Sequence, residues 1–356
     1  MSRGELRRIF TIGDRAFWRR GFRLIVAALL MGIGFAPMEP LVGGIGRELG
    51  QEQMPRGLSE RPWQNPKRAN AEEPEEQVRL SARLVNVFFT ATDRRQALIT
   101  DLRREEVRVF ENGREQEIFT FVRQTDLPLT IVVLIDVSAS QQYTLPEEKA
   151  AAARFIRSIV RPGKDAVAIV AFRDEVLLIE DFTSTISRLE AALGRVRYTP
   201  PTGHDPESRF GGTSLYDAVV LTARELLARQ PGRRTILLLT DGEDTTSSYR
   251  LHDAITEALR AEATIYAIGI GDRYRFGINS GVLRRLAQET GGRAYFPRNA
   301  HDLARAFREI ETELRSQYLV AYYTSDPTPD GRFRQIEIRV PTRKGIRVRH
   351  RRGYVL

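Results

Sequence analysis

Four runs in the middle of the chain are apolar at almost every position: TIVVLI (130–135), AVAIVAF (166–172), TILLLT (235–240) and TIYAIGIG (264–271). A strand with one wet face alternates apolar and polar residues, so an uninterrupted run must be covered on both sides. Amphipathic segments separate the runs. After Thr144-x-x-Glu147, which has the spacing of a helix cap, Ala152, Phe155, Ile156, Ile159 and Val160 share one helical face, and Pro162-Gly163 ends the helix. Further helices are expected at about 185–195, 214–229, 251–261, 281–290 and 301–316. EVLLIEDF (175–182) follows its predecessor closely enough to pair antiparallel, and RAYF (293–296) forms a short strand. The expected fold over 127–316 is therefore α/β, a doubly wound, mostly parallel sheet with helices on both faces.

Both flanks return to a period of two. In residues 78–126, Val85, Val87, Phe89 and Ala91 alternate with Asn86, Phe88, Thr90 and Thr92, and Asn112-Gly113 separates two β-rich runs, as in a hairpin with a type I′ turn. In residues 317–356, QYLVAYYT, then Ile336, Ile338 and Val340, then GIRVRHRRGYV suggest three strands, with a turn at Asp330-Gly331. The first core strand begins at the sheet edge where the last helix ends, so the two β segments are expected to join in one small sheet or sandwich.

The chain has no cysteine, which excludes disulfides, thiolate metal sites, cysteine nucleophiles and lipid attachment at an N-terminal cysteine. Its formal charge of +9 comes largely from seven arginines in the first 36 residues, so the charge is no argument for nucleic acid. There a basic stretch precedes the apolar run 24–35 and a Gly34-x-Ala36 site. This pattern fits a signal peptide or an uncleaved N-terminal anchor over 1–36, and Arg19-Arg20-x-Phe22 resembles a twin-arginine signal. Either way the chain is expected to be exported: periplasmic, secreted or at the cell surface, touching a membrane only through such an anchor. Residues 37–77 lack a sustained apolar period and are expected to be a disordered linker.

Chemistry-bearing residues gather where the core strands end. Asp136, Ser138 and Ser140 follow the first strand, Thr213 opens a helix, and Asp241 follows TILLLT. In open α/β sheets ligands bind outside the carboxyl ends of the strands. Five oxygen side chains with no imidazole or thiol make a site for a hard cation such as Mg²⁺, or another divalent ion such as Mn²⁺ or Ca²⁺. Two carboxylates neutralise such an ion and leave it able to take an anionic ligand from outside.

Asp136-Val-Ser138-Ala-Ser140, Thr213 and Asp241, in that order and each after a core strand, resemble the metal-ion-dependent adhesion site (MIDAS) of von Willebrand factor type A (VWA) domains. The resemblance implies that Ser138, Ser140 and Thr213 ligate directly, that Asp136 and Asp241 ligate directly or through water, and that an Asp or Glu carboxylate of a partner protein completes the shell. With its flanks, LVNVFFTATDRRQALITDLRREEVRVFENG before and QYLVAYYTSDPTPDGRFRQIEIRV after, the chain is similar to the bacterial VWFA-related Acidobacterial domain family. That adds architecture more than function.

Other residues have two readings. Asp136 and its serines could simply form a turn and cap a helix. Asp217 either completes a capping box with Ser214 or orients the site; Glu243 and Asp244 either cap the next turn or stand behind the metal. Asp205 and Glu207 lie in the long loop 196–212 and would rim the site. Gly269-Ile-Gly271 suggests tight turning after a strand. The four histidines lack metal-ligand spacing and are expected at the surface, and Arg347, Arg349, Arg351 and Arg352 suggest a solvated edge strand. An adhesion-type binding module is thus the leading function. A structural envelope-assembly role with an incidental metal is the alternative. A metal-dependent hydrolase is weaker, because no Gly-x-Ser-x-Gly elbow, zinc-binding histidine pair or P-loop is present, and Ser138 stands where aspartyl-phosphate enzymes need a second carboxylate.

Overall fold

The computed structural model describes residues 9–10, 83–124, 126–198, 212–271 and 277–355. Apart from a two-residue strand, β1 (Ile9–Phe10), the expected signal peptide or anchor and the expected linker lie outside the described residues. Among those that are described, no helix is long and apolar enough to cross a membrane.

In β2 (Leu84–Thr92) the side chains of Val85, Val87, Phe89 and Ala91 are all buried, as their alternation demands. Then β3 (Arg108–Glu111) and β4 (Arg114–Gln116) form a hairpin. Its turn residues Asn112 and Gly113 have φ of 49° and 79°, the left-handed pair that a type I′ turn requires. β5 (Ile118–Gln124) leads to the core.

There β6 (Leu129–Asp136) is buried at every position, and α1 (Leu145–Ile159), β7 (Ala166–Phe172), β8 (Val176–Thr183) and α2 (Ile186–Arg195) follow. Next come α3 (Leu215–Leu221), which continues as a π-helical stretch over Thr222–Leu227, then β9 (Arg233–Thr240), α4 (Leu251–Arg260), β10 (Thr264–Gly269), α5 (Ser280–Glu289), β11 (Ala294–Tyr295) and α6 (Ala300–Leu314). The sheet order is β1-β8-β7-β6-β9-β10-β11. From β7 to β11 all neighbours are parallel, while β8 and β1 add antiparallel at the edge. Successive residues of one strand serve opposite faces. Val133, Ile135, Leu237 and Leu239 pack with α1, α2 and α6 through Phe155, Leu193 and Phe307. Val132, Leu134, Ile236 and Leu238 pack with α3, α4 and α5 through Leu215, Ile255 and Leu286. Burying each such side chain contributes about 1.5–3 kcal/mol relative to exposure.

After α6 come β12 (Gln317–Tyr323), β13 (Phe333–Arg339), β14 (Arg347–His350) and β15 (Gly353–Val355). The flanking strands build two four-stranded sheets, β14-β2-β12-β5 and β15-β13-β3-β4, whose inner residues, among them Val87, Phe89, Val109, Val320 and Ile338, share one core. This is a small sandwich.

GIRVRHRRGYV is therefore not one strand. It breaks at Arg351-Arg352, so that β14 pairs with β2 and β15 with β13 in the other sheet. Arg351, 8% exposed, anchors the crossing by donating to the Asn86 carbonyl and pairing with Glu262. β14 is an edge strand with Arg347 exposed, as expected, and Arg352 beyond it is exposed too, but Arg349 is not solvated: it pairs with the buried Glu313 at 2.6 Å. His350 also departs from expectation: it is partly buried, with Nε2 accepting from the Ile338 N–H at 3.2 Å. Its Nδ1 must then carry the proton it donates to the Arg351 carbonyl, and burial lowers the ring's pKa.

The exits from core to sandwich meet at two buried charges. Asp165 accepts from the Leu129 N–H at the start of β6, from Arg161 after α1, and from Arg315 after α6. Arg233 at the start of β9 donates to the Leu127 and Leu314 carbonyls.

Candidate metal centre

β6, buried along its whole length, delivers Asp136 to the carboxyl edge of the sheet with no exposure at all. Its Oδ1 accepts from the Ser138 N–H at 2.8 Å, an Asx turn, and Oδ2 accepts from the Thr240 hydroxyl at 2.5 Å. The turn places the Ser138 and Ser140 hydroxyls 3.1 Å apart. Gln141 locks them: its amide donates to Ser140 Oγ and to the Ile270 carbonyl. Thr144 does not cap α1 as its spacing suggests, because its hydroxyl is spent on Gln141.

Asp241 follows β9, the neighbour of β6, and its Oδ1 accepts from the Glu243 N–H at 3.0 Å. Thr213 is held against the loop that continues from Asp241. The Thr213 N–H donates to Thr245 Oγ1, and its carbonyl accepts from the N–H groups of Thr245 and Thr246. The Thr213 hydroxyl makes no hydrogen bond among the described residues. Gly271 closes the far side, where an added Cβ would lie 2.9 Å from Asp241 Cβ and 3.5 Å from Gln141 Nε2. Neither Gly269 nor Gly271 has a positive φ. Glycine is needed there for close approach, of Phe296 to Gly269 and of Asp241 to Gly271, rather than for the expected tight turning.

The electrostatics are those of a site missing positive charge. Burial, then the charge of Asp241, pushes Asp136 up to about 7. Burial raises Asp241 as well, against the Ser140 hydroxyl and the Glu243 N–H. No lysine or arginine pairs with either carboxylate among the described residues. Glu148 on α1 adds to the deficit: it is wholly buried, both its oxygens lack a hydrogen-bond partner among the described residues, and burial with the charges of Asp136 and Asp241 pushes it up to about 8.

The other expected residues have definite places. Asp217 accepts from the Ser248 and Tyr249 N–H groups, tying α3 to the loop after Asp241, and forms no capping box with Ser214. Asp244 accepts from the Tyr216 N–H and from the Ser247 hydroxyl, so it supports the first turn of α3. Glu243 contributes its backbone to Asp241. Asp205 and Glu207 lie outside the described residues. Sequence reasoning missed Thr240, Gln141 and Glu148. Only the position of Thr240 beside Asp241 at the end of an apolar strand was a usable signal.

No three His, Cys, Asp or Glu side chains cluster as a metal site among the described residues. The donor set is instead two carboxylates and three hydroxyls, which suits a hard dication that keeps some of its water. Asp136, Ser138, Ser140, Thr213 and Asp241 would hold it, and the ion would supply a Lewis-acidic position for an outside anion.

The fold is a doubly wound α/β domain with an oxygen-lined edge at the carboxyl ends of its strands. The sequence profile of the von Willebrand factor type A domain matches residues 130–309, just over half of the chain, and the chain belongs to that family. No curated protein matches it. Among solved structures it is similar to a von Willebrand factor type A protein from Catenulispora acidiphila, at 15% identity over 76% of this chain and 72% of that one, with a TM-score of 0.46. It is also similar to the vWF domain of the type V pili tip protein Mfa5 from Porphyromonas gingivalis, at 15% identity over 54% and 96%, TM-score 0.42. Proximal thread matrix protein 1 from the mussel byssus, with a zinc-occupied MIDAS motif, matches at 18% identity over 57% and 49%, TM-score 0.44. The chain spans about half the length of the mussel byssus proteins it matches.

Proposed function

We propose that this is an exported binding protein whose VWA domain holds a divalent cation, Mg²⁺ by the hardness of its ligands, on Asp136, Ser138, Ser140, Thr213 and Asp241. Through that ion it coordinates an Asp or Glu side chain of a partner protein. One observation carries the reading: two buried carboxylates face each other with hydroxyls and no cationic side chain between them. A bound dication removes their mutual penalty, and the open coordination position selects an anionic group. The residues offer no nucleophile activated by a base, which favours binding over catalysis.

Affinity capture from an extracytoplasmic extract tests this, with the wild-type protein and Asp136→Ala compared in Mg²⁺ and in EDTA. The expected result is a partner retained only by the wild type with metal. Capture indifferent to both chelation and substitution would contradict it.

A structural assembly role is the second reading, and the sandwich gives it one observation. Leu84, Phe119 and Tyr323 are exposed apolar residues on neighbouring strands, with the Phe119 and Tyr323 rings 5.0 Å apart. On that reading a site variant still complements loss of the protein.

A further inference from the structure

Away from the metal centre, a cleft of about 520 Å³ opens where the core meets the sandwich. It is lined by five arginines from separate pieces of the chain: Arg95 after β2, Arg293 before β11, Arg305 and Arg308 on α6, and Arg349 on β14. Among the described residues two carboxylates line it, Glu309 and Glu313, and both are engaged. Glu313 accepts from Arg349 and from the Tyr266 hydroxyl, and Glu309 faces Arg293 and Arg305. The lining therefore has an excess of three positive charges, and the Arg95 and Arg308 guanidiniums have no acidic partner among the described residues.

A second observation points inward. Tyr295 lines the same cleft and is 8% exposed, yet its buried hydroxyl has no hydrogen-bond partner among the described residues. Arg349 Nε is buried and unpartnered too. A buried hydroxyl without a partner loses its hydration and gains nothing in return, so such groups are normally satisfied. The Arg293 guanidinium, 4.8 Å above the Tyr295 ring, fixes the ring in place.

We propose that this cleft binds a small phosphorylated polyanion, with Arg95, Arg308 and the Tyr295 hydroxyl as its donors. Guanidinium forks suit both carboxylates and phosphates, but these donors come from three different elements, and a tetrahedral group presents oxygens in all their directions. The walls belong to α6 and β11 on one side and to β2, its following loop and β14 on the other. A bound anion thus ties the core to the sandwich and stabilises the folded chain by mass action. This site is independent of the metal reading.

Inorganic pyrophosphate is the probe, titrated calorimetrically into the full chain without divalent metal, with citrate at matched ionic strength as the carboxylate control. Saturable binding of pyrophosphate tighter than citrate is expected. Arg95→Gln and Arg308→Gln, both at exposed positions, should each weaken it about tenfold. Tyr295→Phe should weaken it while leaving the melting temperature of the free protein unchanged or raised, because the hydroxyl it removes has no partner. Arg285→Gln, on α5, should have no effect. Absence of saturable binding, citrate binding as tightly as pyrophosphate, or equal affinity across all four variants would overturn the proposal.

Discussion

Glu148 is a carboxylate in an unfavourable place. It is fully buried on α1, with no partner for either oxygen among the described residues, near two other buried carboxylates. With Asp136 it makes stability depend on pH. In the folded chain burial pushes these groups up to about 8 and about 7, against 4.5 and 3.8 as ordinary values. Between those limits the folded state keeps protons that the unfolded chain has released, so each group's contribution to stability falls as pH rises from about 4 to about 8. His350, whose pKa burial lowers, has the opposite slope, so the informative comparison is between variant and wild type. Thermal midpoints in EDTA across that window should show Glu148→Gln increasingly more stable than wild type toward pH 8. A constant difference at every pH would contradict this. The sequence made the five candidate oxygen donors visible because Asp136, Ser138 and Ser140 fall at alternate positions after one apolar run, Asp241 follows another, and Thr213 opens a helix. Gln141, Thr240 and Glu148 were hidden because their roles depend on which loop folds over them.

Among the elements, those whose pattern is set by burial on two faces were legible, and those set by a single tertiary bond were not. Apolar runs marked β6, β7, β9 and β10, and Asn112-Gly113 marked the β3–β4 turn. The split between β14 and β15 left no periodic trace, since it depends on Arg351 reaching the Asn86 carbonyl across the domain. The junction at Asp165 is of the same kind. Burial disfavours its charge, but Arg161, Arg315 and two backbone N–H groups overcome that and hold its carboxyl well below the ordinary range. Its contribution is therefore present above about pH 4 and fades as acid protonates it. Asp165→Ala leaves Arg161 and Arg315 without this partner and frees the start of β6, so it should cost about 3 kcal/mol in urea unfolding at neutral pH. A loss within experimental error would show that the exits are held by packing alone.

For the whole molecule, the arrangement explains why the β segments at the two ends of the described chain belong together. β6 starts and α6 ends on the side of the sheet opposite Asp136, so the sandwich forms beneath the core and leaves the oxygen-lined edge open. The central claim concerns that edge, and anomalous scattering from crystals grown with Mn²⁺ tests it most directly. One strong peak is expected, bounded by Ser138, Ser140 and Thr213 with Asp136 and Asp241 beside it, and no peak there in Asp241→Ala crystals. Density for Mn²⁺ only elsewhere, or at that edge without Thr213 or either aspartate near it, would contradict the claim.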